Sequence, residues 1–380
     1  MKPTRLALAA GMSVLALGAA ACSSSSETST GGTTGGSGDE SDLTIGFLYV
    51  GPKDDYGYNQ AAYEGSQAVQ AAFPNAKILQ AENVPETAEA ETVMEDMIEQ
   101  GADIIFPTSY GHLEFAQNVA KDHPDTIFVH QGGLEGEDKL DNLGTYFGTV
   151  YEPVYTAGVA AGEATESNKL GYVYAFPIPQ TLANINAFAL GAQSVNPDAE
   201  VIAVSTGSWC DPGLQAQAAK SLIDQGADVL TQHQDCTKTI IEAAEAAGAM
   251  SVGYHFDASE LAPKGWITGS EWNWGPLYTD IVQTVVDGKF VDSPYNGDFR
   301  VGLQTGDNPF VQSSYGSMVS AETQAKIDEI KQSFIDGGSP FAGPVLKQDG
   351  TIVWESGQQP TYEEVETMDF FVEGVTGKID

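Results

Sequence analysis

The side chains able to grip a small molecule stand in loops that follow apolar runs. Tyr58 sits at the tip of the loop Gly51–Asn59. An aromatic face there can stack on a flat ring, an interaction worth about 1–3 kcal/mol. Asn59 beside it carries a donor and an acceptor, and Asp55 accepts from N–H or hydroxyl groups. Ser109 and Tyr110 lie just past the run Ile104–Pro107, and His130 ends the run Ile127–His130. Phe176, Trp209, Asp211, Asp235 and Asp257 occupy loops after later runs, and Trp272 stands in the segment that follows Trp266–Ser270. These types stack and hydrogen-bond, which is the chemistry of holding a ligand. Each has a plainer alternative. Tyr58 could pack into its own domain as a helix-entry aromatic, and Asp55 and Asp211 could cap the helices after them. His130 could be a satisfied structural histidine, and Trp272 could pack a hinge.

Signatures of catalysis are missing. The chain has no P-loop pattern, no His-Glu-x-x-His and no Gly-x-Ser-x-Gly. Gly-x-Gly-x-x-Gly is missing too, so no dinucleotide cofactor is expected. His112, His123, His130, His233 and His255 lack metal-ligand spacing with cysteines, and no metal is expected.

What positions the loops is a fold stated twice. Met97–Ile105 reads Met-Ile-Glu-Gln-Gly-Ala-Asp-Ile-Ile, and Leu222–Leu230 reads Leu-Ile-Asp-Gln-Gly-Ala-Asp-Val-Leu. Each copy ends a helical pattern at Gln, turns on a Gly suited to the position after a helix, and enters an apolar β run. Each is followed by a polar segment and another helical pattern, the β-α-β-α order that builds parallel sheet. Two copies this far apart predict two similarly wound lobes, with strand ends facing a shared cleft. Strands are expected from Leu43–Val50 to Thr145–Gly148 in the first lobe and from Gly171–Ala175 to Trp266–Gly269 in the second. The helix Pro276–Asp287 is expected to return the chain to the first lobe. The first lobe is thus residues 43–150 plus about 275–297, the second 151–274 plus about 298–350, and 351–380 is a tail without an assigned lobe.

The N-terminus has its own logic. Lys2 and Arg5 precede the apolar run Leu6–Leu17, and Gly18-Ala19-Ala20-Ala21 lead to Cys22. This is a secretory signal over residues 1–21, and Cys22 after small residues resembles the lipobox of bacterial lipoproteins, where the thiol is acylated. Ser23–Asp42 is Ser/Thr/Gly-rich and reads as a tether. The expected place is the outer face of the cell membrane. Sixteen Lys and Arg against 53 Asp and Glu give a net charge of −37, a field that repels nucleic acid and phosphate-rich ligands. Solubility, as in a salty habitat, accounts for it; attraction of cationic ligands is the alternative.

Several pieces, in order, carry a family. They are Gly51-Pro52 with Asp55-Tyr56-Gly57-Tyr58-Asn59-Gln60, Asn186–Gly191, Ser208-Trp209-Cys210-Asp211-Pro212, Gln225–Asp228, Trp272-Asn273-Trp274-Gly275-Pro276 and Met368–Val375. From Leu43 to its end the chain resembles the basic membrane protein family of substrate-binding lipoproteins of ABC transporters. The resemblance implies an α/β, type I periplasmic-binding-protein fold: two Rossmann-like lobes, three hinge crossovers and a ligand between them. Characterised relatives bind purine nucleosides or free purine bases, so the implied partners are a purine-like ligand, a permease and, through the anchor, the membrane. A monomer is expected. Tyr58 falls where the family stacks an aromatic on its ligand, and Asp257 matches an acid that holds ribose in nucleoside-binding relatives. One departure matters. The Lys those relatives carry near the end of the strand corresponding to Trp266–Ser270 is absent, which leans the expectation toward a free base. Trp272 could be a second stacking wall. The alternatives are a nucleoside-binding protein, a signalling surface receptor, and a nucleoside hydrolase using Asp55 and Asp211.

Cys210 and Cys236 remain once Cys22 is assigned to lipid, and an exported chain meets oxidising conditions. A disulfide between them is expected, because each follows one of two successive strands that should be sheet neighbours.

Overall fold

The computed structural model describes residues 43–379, apart from 138 and 307. The signal sequence, Cys22 and the tether lie outside the described residues.

The first lobe opens with β1 (Thr44–Leu48), α1 (Tyr58–Ala72), β2 (Lys77–Ala81), α2 (Glu89–Glu99), β3 (Ile104–Pro107), α3 (Leu113–Asp122), β4 (Ile127–Gln131) and β5 (Leu143–Gly148). The chain then crosses to the second lobe with α4 (Tyr151–Ala164), β6 (Lys169–Tyr174), α5 (Pro179–Val195), β7 (Glu200–Ser205) and α6 (Pro212–Asp224). That lobe continues through β8 (Val229–His233), α7 (Lys238–Ala247), β9 (Met250–Gly253) and β10 (Trp266–Trp272). It returns with α8 (Gly275–Val286), which packs on α1, and β11 (Asp298–Val301). It crosses a third time to β12 (Phe310–Gln312), α9 (Ala321–Ile335), the hairpin β13 (Val345–Leu346) and β14 (Ile352–Trp354), α10 (Tyr362–Val365) and β15 (Val375–Thr376).

The sheets run β11-β5-β4-β3-β1-β2 and β12-β10-β9-β8-β6-β7-β15. Their inner orders, 5-4-3-1-2 and 10-9-8-6-7, are the same winding, and all pairs in them are parallel. Only β12, paired with β10, is antiparallel in these two sheets. β1, β3 and β8 are buried along their whole length, as strands covered by helices on both faces must be. The doubled motif is a doubled helix end. Gly101 and Gly226 both stand at φ +91, the left-handed turn that a side chain disfavours. Ala102 and Ala227 then donate to Met97 and Leu222 at 3.0 and 3.1 Å, while the two glycine N–H groups bond Ile98 and Ile223 at 2.9 Å. This reciprocal pattern closes both helices and releases the chain into β3 and β8.

One boundary and one expected strand pairing differ from expectation, and the unassigned tail finds its lobe. β11 pairs with β5, so Asp298–Val301 belongs to the first sheet, and the crossover falls at 302–309. The strand is short and its apolar content gives no hint of which sheet it joins. The tail is fixed to the second lobe, where β15 pairs with β7. β7 and β8 are not neighbours, because β6 lies between them.

Glu152 ties the first and third crossovers together. Its Oε2 accepts from Thr149 Oγ1 at 2.5 Å, Leu303 N at 2.9 Å and the Asn308 amide at 3.2 Å. Burial raises this carboxyl, so the hinge holds it by hydrogen bonds from three sides.

Candidate functional site

The carboxyl ends of both sheets face each other across a narrow cleft, and the lobes are in direct contact around it. Tyr58 N–H at the start of α1 donates to the Asp235 carbonyl at 3.1 Å. Thr237 N–H donates to the Asp55 carbonyl at 3.3 Å and its hydroxyl to the Tyr56 carbonyl at 2.5 Å. Tyr56 OH reaches Glu260 at 2.9 Å, and the Trp209 indole N–H reaches Glu86 at 3.2 Å. Gly57 permits this approach, since a Cβ there would overlap the Asp235 carbonyl.

The cleft holds a small cavity of about 30 Å³. Tyr58, Ser109, Tyr110 and Phe147 line it from the first lobe, and Ile178, Gln180, Trp209, His233, Asp235, Tyr254 and His255 from the second. Aromatic rings dominate this slot between the lobes. Larger hollows exist, including one of about 730 Å³ behind the hinge lined by Asp280, Arg300 and Asn308. In that hollow these groups are engaged: Asp280 accepts from Tyr295, Arg300 donates to Tyr362, Thr145 and Gly133, and Asn308 donates to Glu152. The slot between the lobes, where side chains from the strand ends of both sheets converge, is the candidate site.

Its chemistry concentrates on the second-lobe wall. Asp235 is buried, and among the described residues no hydrogen bond reaches its carboxyl. Burial, then the nearby charges of Asp55 and Glu86, push this acid well above the usual carboxylate range. In either protonation state it keeps an acceptor oxygen. His233 is pushed down to about 3 by burial, and His255 well below its ordinary value by burial and by His233, so both rings are neutral. Asn184 links His233 Nδ1 at 3.2 Å to the Tyr254 hydroxyl at 2.7 Å. Tyr58 closes the slot opposite, its ring 4.9 Å from that of His255. Ser109 donates to Glu86 at 2.7 Å, which also accepts Gly111 N–H at 2.8 Å, so Glu86 shapes the first-lobe rim.

Of the residues named from sequence, Tyr58, Ser109, Tyr110, Trp209 and Asp235 meet at the slot. The others have structural duties. Asp55 accepts from the N–H groups of Gly57, Asn59 and Gln60 and from the Asn59 amide at 2.8–3.1 Å, which fills its oxygens and caps α1. Asn59 spends its oxygen on Gly51 N–H at 3.1 Å and is wholly buried. Asp211 caps α6 through Leu214 N–H at 2.9 Å. Asp55 and Asp211 thus serve separate helices. Asp257 holds Ser259 N–H at 2.9 Å and Ser314 Oγ at 2.5 Å, and does not line the slot. His130 turns its Nδ1 and Nε2 to the carbonyls of Gly132 and Ser109 at 2.8 and 2.7 Å, burial pushes it down to about 3, and it does not line the slot. Phe176 is half-exposed and packs edge-on against Trp209 at 5.1 Å, outside the lining. Trp272 stacks on Trp274 at 4.1 Å and bonds His255; it packs the hinge side and is no wall of the slot.

Phe147, Ile178, Gln180, His233, Tyr254 and His255 were not expected there. His233 and His255 had a readable signal, since each closes or follows an apolar run as His130 does. Weighing them only as metal ligands hides it. Phe147 likewise stands one residue before the end of β5. Ile178 and Gln180 carry no such mark.

Cys210 and Cys236 are joined by a disulfide with Cα atoms 5.1 Å apart. The loops after β7 and β8 reach each other across the end of β6, helped by Asp235 N–H donating to the Trp209 carbonyl at 2.9 Å. The bridge therefore braces Trp209 against Asp235.

Comparison with known proteins places this geometry. The family profile described as "ABC transporter substrate-binding protein PnrA-like" matches residues 43–341. A purine-binding protein of Brucella abortus is 35% identical over 345 residues, covering 90% of this chain and 95% of its own. A Haloferax volcanii protein named as a candidate ABC transporter glucose-binding protein is 32% identical over 366 residues, covering 93% and 88%. Among solved structures, an ABC solute-binding protein of Aeropyrum pernix aligns with TM-score 0.68 at 18% identity over 85% of this chain and 97% of its own. One from Conexibacter woesei aligns with TM-score 0.62 at 21% identity over 78% and 97%. These two share the two-lobed type I periplasmic-binding fold. The family is a transporter component and not an enzyme class. By its profile match, its full-length relatives and its fold, the chain belongs to the Bmp family of ABC transporter substrate-binding proteins.

Proposed function

We propose that this protein captures a free purine base, or a closely similar flat heterocycle, between its lobes and delivers it to an ABC importer. The observation that carries this reading is the Asp235 carboxyl, buried and without a hydrogen-bond partner among the described residues, on the wall of an aromatic slot. Lining the slot with free acceptor capacity, it suits a ligand that donates to it. Tyr58 and Trp209 offer ring faces for stacking. The purine-binding relative at 35% identity adds weight. Substrate-binding proteins of ABC transporters work outside the cytoplasm. Among the described residues no helix is long and apolar enough to cross a membrane, and the reading of Cys22 as a lipid anchor supplies the attachment.

A sugar is the second reading, favoured by the candidate glucose-binding relative. Native mass spectrometry of protein purified without added ligand separates the two. A released mass of a purine base supports the proposal, and a released hexose overturns it. Replacing Cys22 with Ala should release the protein from membranes; unchanged membrane association would remove the anchor.

A further inference from the structure

Trp272 lies outside the slot, yet it decides what His255 can offer inside it. An indole N–H only donates, and that of Trp272 meets His255 Nδ1 at 2.9 Å. The His255 ring is neutral, held well below the usual histidine range by burial and by His233. With Nδ1 accepting, its one proton sits on Nε2, and no described residue bonds that atom. The backbone reinforces the arrangement: Trp272 N–H donates to the His255 carbonyl at 3.1 Å, and His255 stands at φ +72, a left-handed conformation uncommon outside glycine. Strained backbone of this kind persists where surrounding contacts over-determine it. The indole is itself held, stacked on Trp274 at 14° and packed on Phe310 at 4.2 Å and Phe147 at 4.9 Å.

Resting on the purine reading above, we propose that Trp272 is a positioning residue that locks His255 as an Nε2–H donor, so that the ligand must present an in-plane acceptor to His255 alongside an N–H for Asp235. The second-lobe wall then reads a donor–acceptor pattern. A heterocycle edge with a ring nitrogen or oxo group beside an N–H fits it. An edge of C–H groups leaves the His255 N–H unpaired and is rejected.

The test begins with long-range ¹H–¹⁵N spectra of the ligand-free protein labelled at histidine. His255 should show a pyrrole-like Nε2 and a pyridine-like Nδ1; a proton on Nδ1 would overturn the proposal. Trp272→Phe keeps a ring but loses the donor, and should give mixed His255 tautomers with about tenfold weaker hypoxanthine binding. Hypoxanthine is then compared with its 3-deaza and 7-deaza analogues, each lacking one ring-nitrogen acceptor, and with unsubstituted purine, which loses the oxo acceptor together with the N1–H donor. At least one change should cost about tenfold in the wild type and about threefold or less in Trp272→Phe. Equal losses in both proteins would contradict the lock. His255→Gln, whose amide N–H can stand in for Nε2–H, should keep binding within about threefold while His255→Phe loses about tenfold. The reverse order would contradict it without reliance on the Trp272 variant. If the expected tautomer is found and none of these purines binds the wild type, the purine reading falls while the role of Trp272 in setting the tautomer stands.

Discussion

Tyr58 and Asp55 stand three residues apart and do unlike work, one facing the slot and one capping α1. Tyr58→Ala should weaken ligand binding by about 1–3 kcal/mol, read by calorimetry, because a stacking face is lost. An unchanged dissociation constant would remove the stacking role. Asp55 makes a separate prediction through pH. Burial raises its carboxyl from 3.8 to about 6, although its hydrogen bonds from Asn59, Gln60 and Gly57 pull the other way. A raised value in the folded state means that protonation favours folding. The contribution is full below about pH 4, is lost as pH rises through about 6, and amounts to on the order of 3 kcal/mol. The stability of the wild type relative to Asp55→Asn should therefore fall between about pH 4 and about pH 7, measured by denaturant unfolding. Parallel pH profiles would show that Asp55 stays ionised throughout.

Among the elements, the turn between β1 and α1 governs closure. Gly57→Ala places a methyl group against the Asp235 carbonyl and Thr237, a clash that exists only when the lobes meet. Ligand binding should weaken by about tenfold or more, about 1.4 kcal/mol, while the melting temperature of ligand-free protein barely moves. Full affinity in this variant would mean that the bound lobes stand further apart. The loops after β7 and β8 predict that neither Cys210 nor Cys236 labels with thiol reagent in denatured, unreduced protein. Two reactive thiols would contradict the bridge. Much at this scale was legible in the sequence, because Gln-Gly-Ala-Asp fixes a helix end and a strand start whatever surrounds it. β11 and β15 were not, since short strands take their sheet from tertiary pairing that no local pattern records. The acids divide the same way. A carboxylate after a strand reads alike whether it caps a helix, as Asp55 and Asp211 do, or faces a cleft, as Asp235 does. Only the N–H groups that reach it tell them apart.

At the scale of the molecule, two lobes wound alike meet through three crossovers and enclose one slot, and a charge of −37 surrounds it. That field disfavours phosphorylated ligands at the cleft mouth, which agrees with a neutral ring as cargo. The most direct test is isothermal calorimetry on ligand-free protein with adenine, guanine, hypoxanthine and xanthine, their nucleosides, and glucose. At least one base should bind at one per chain, with every nucleoside and glucose about tenfold weaker or worse, a gap of about 1.4 kcal/mol. A nucleoside or glucose binding about tenfold more tightly than every base would contradict the account.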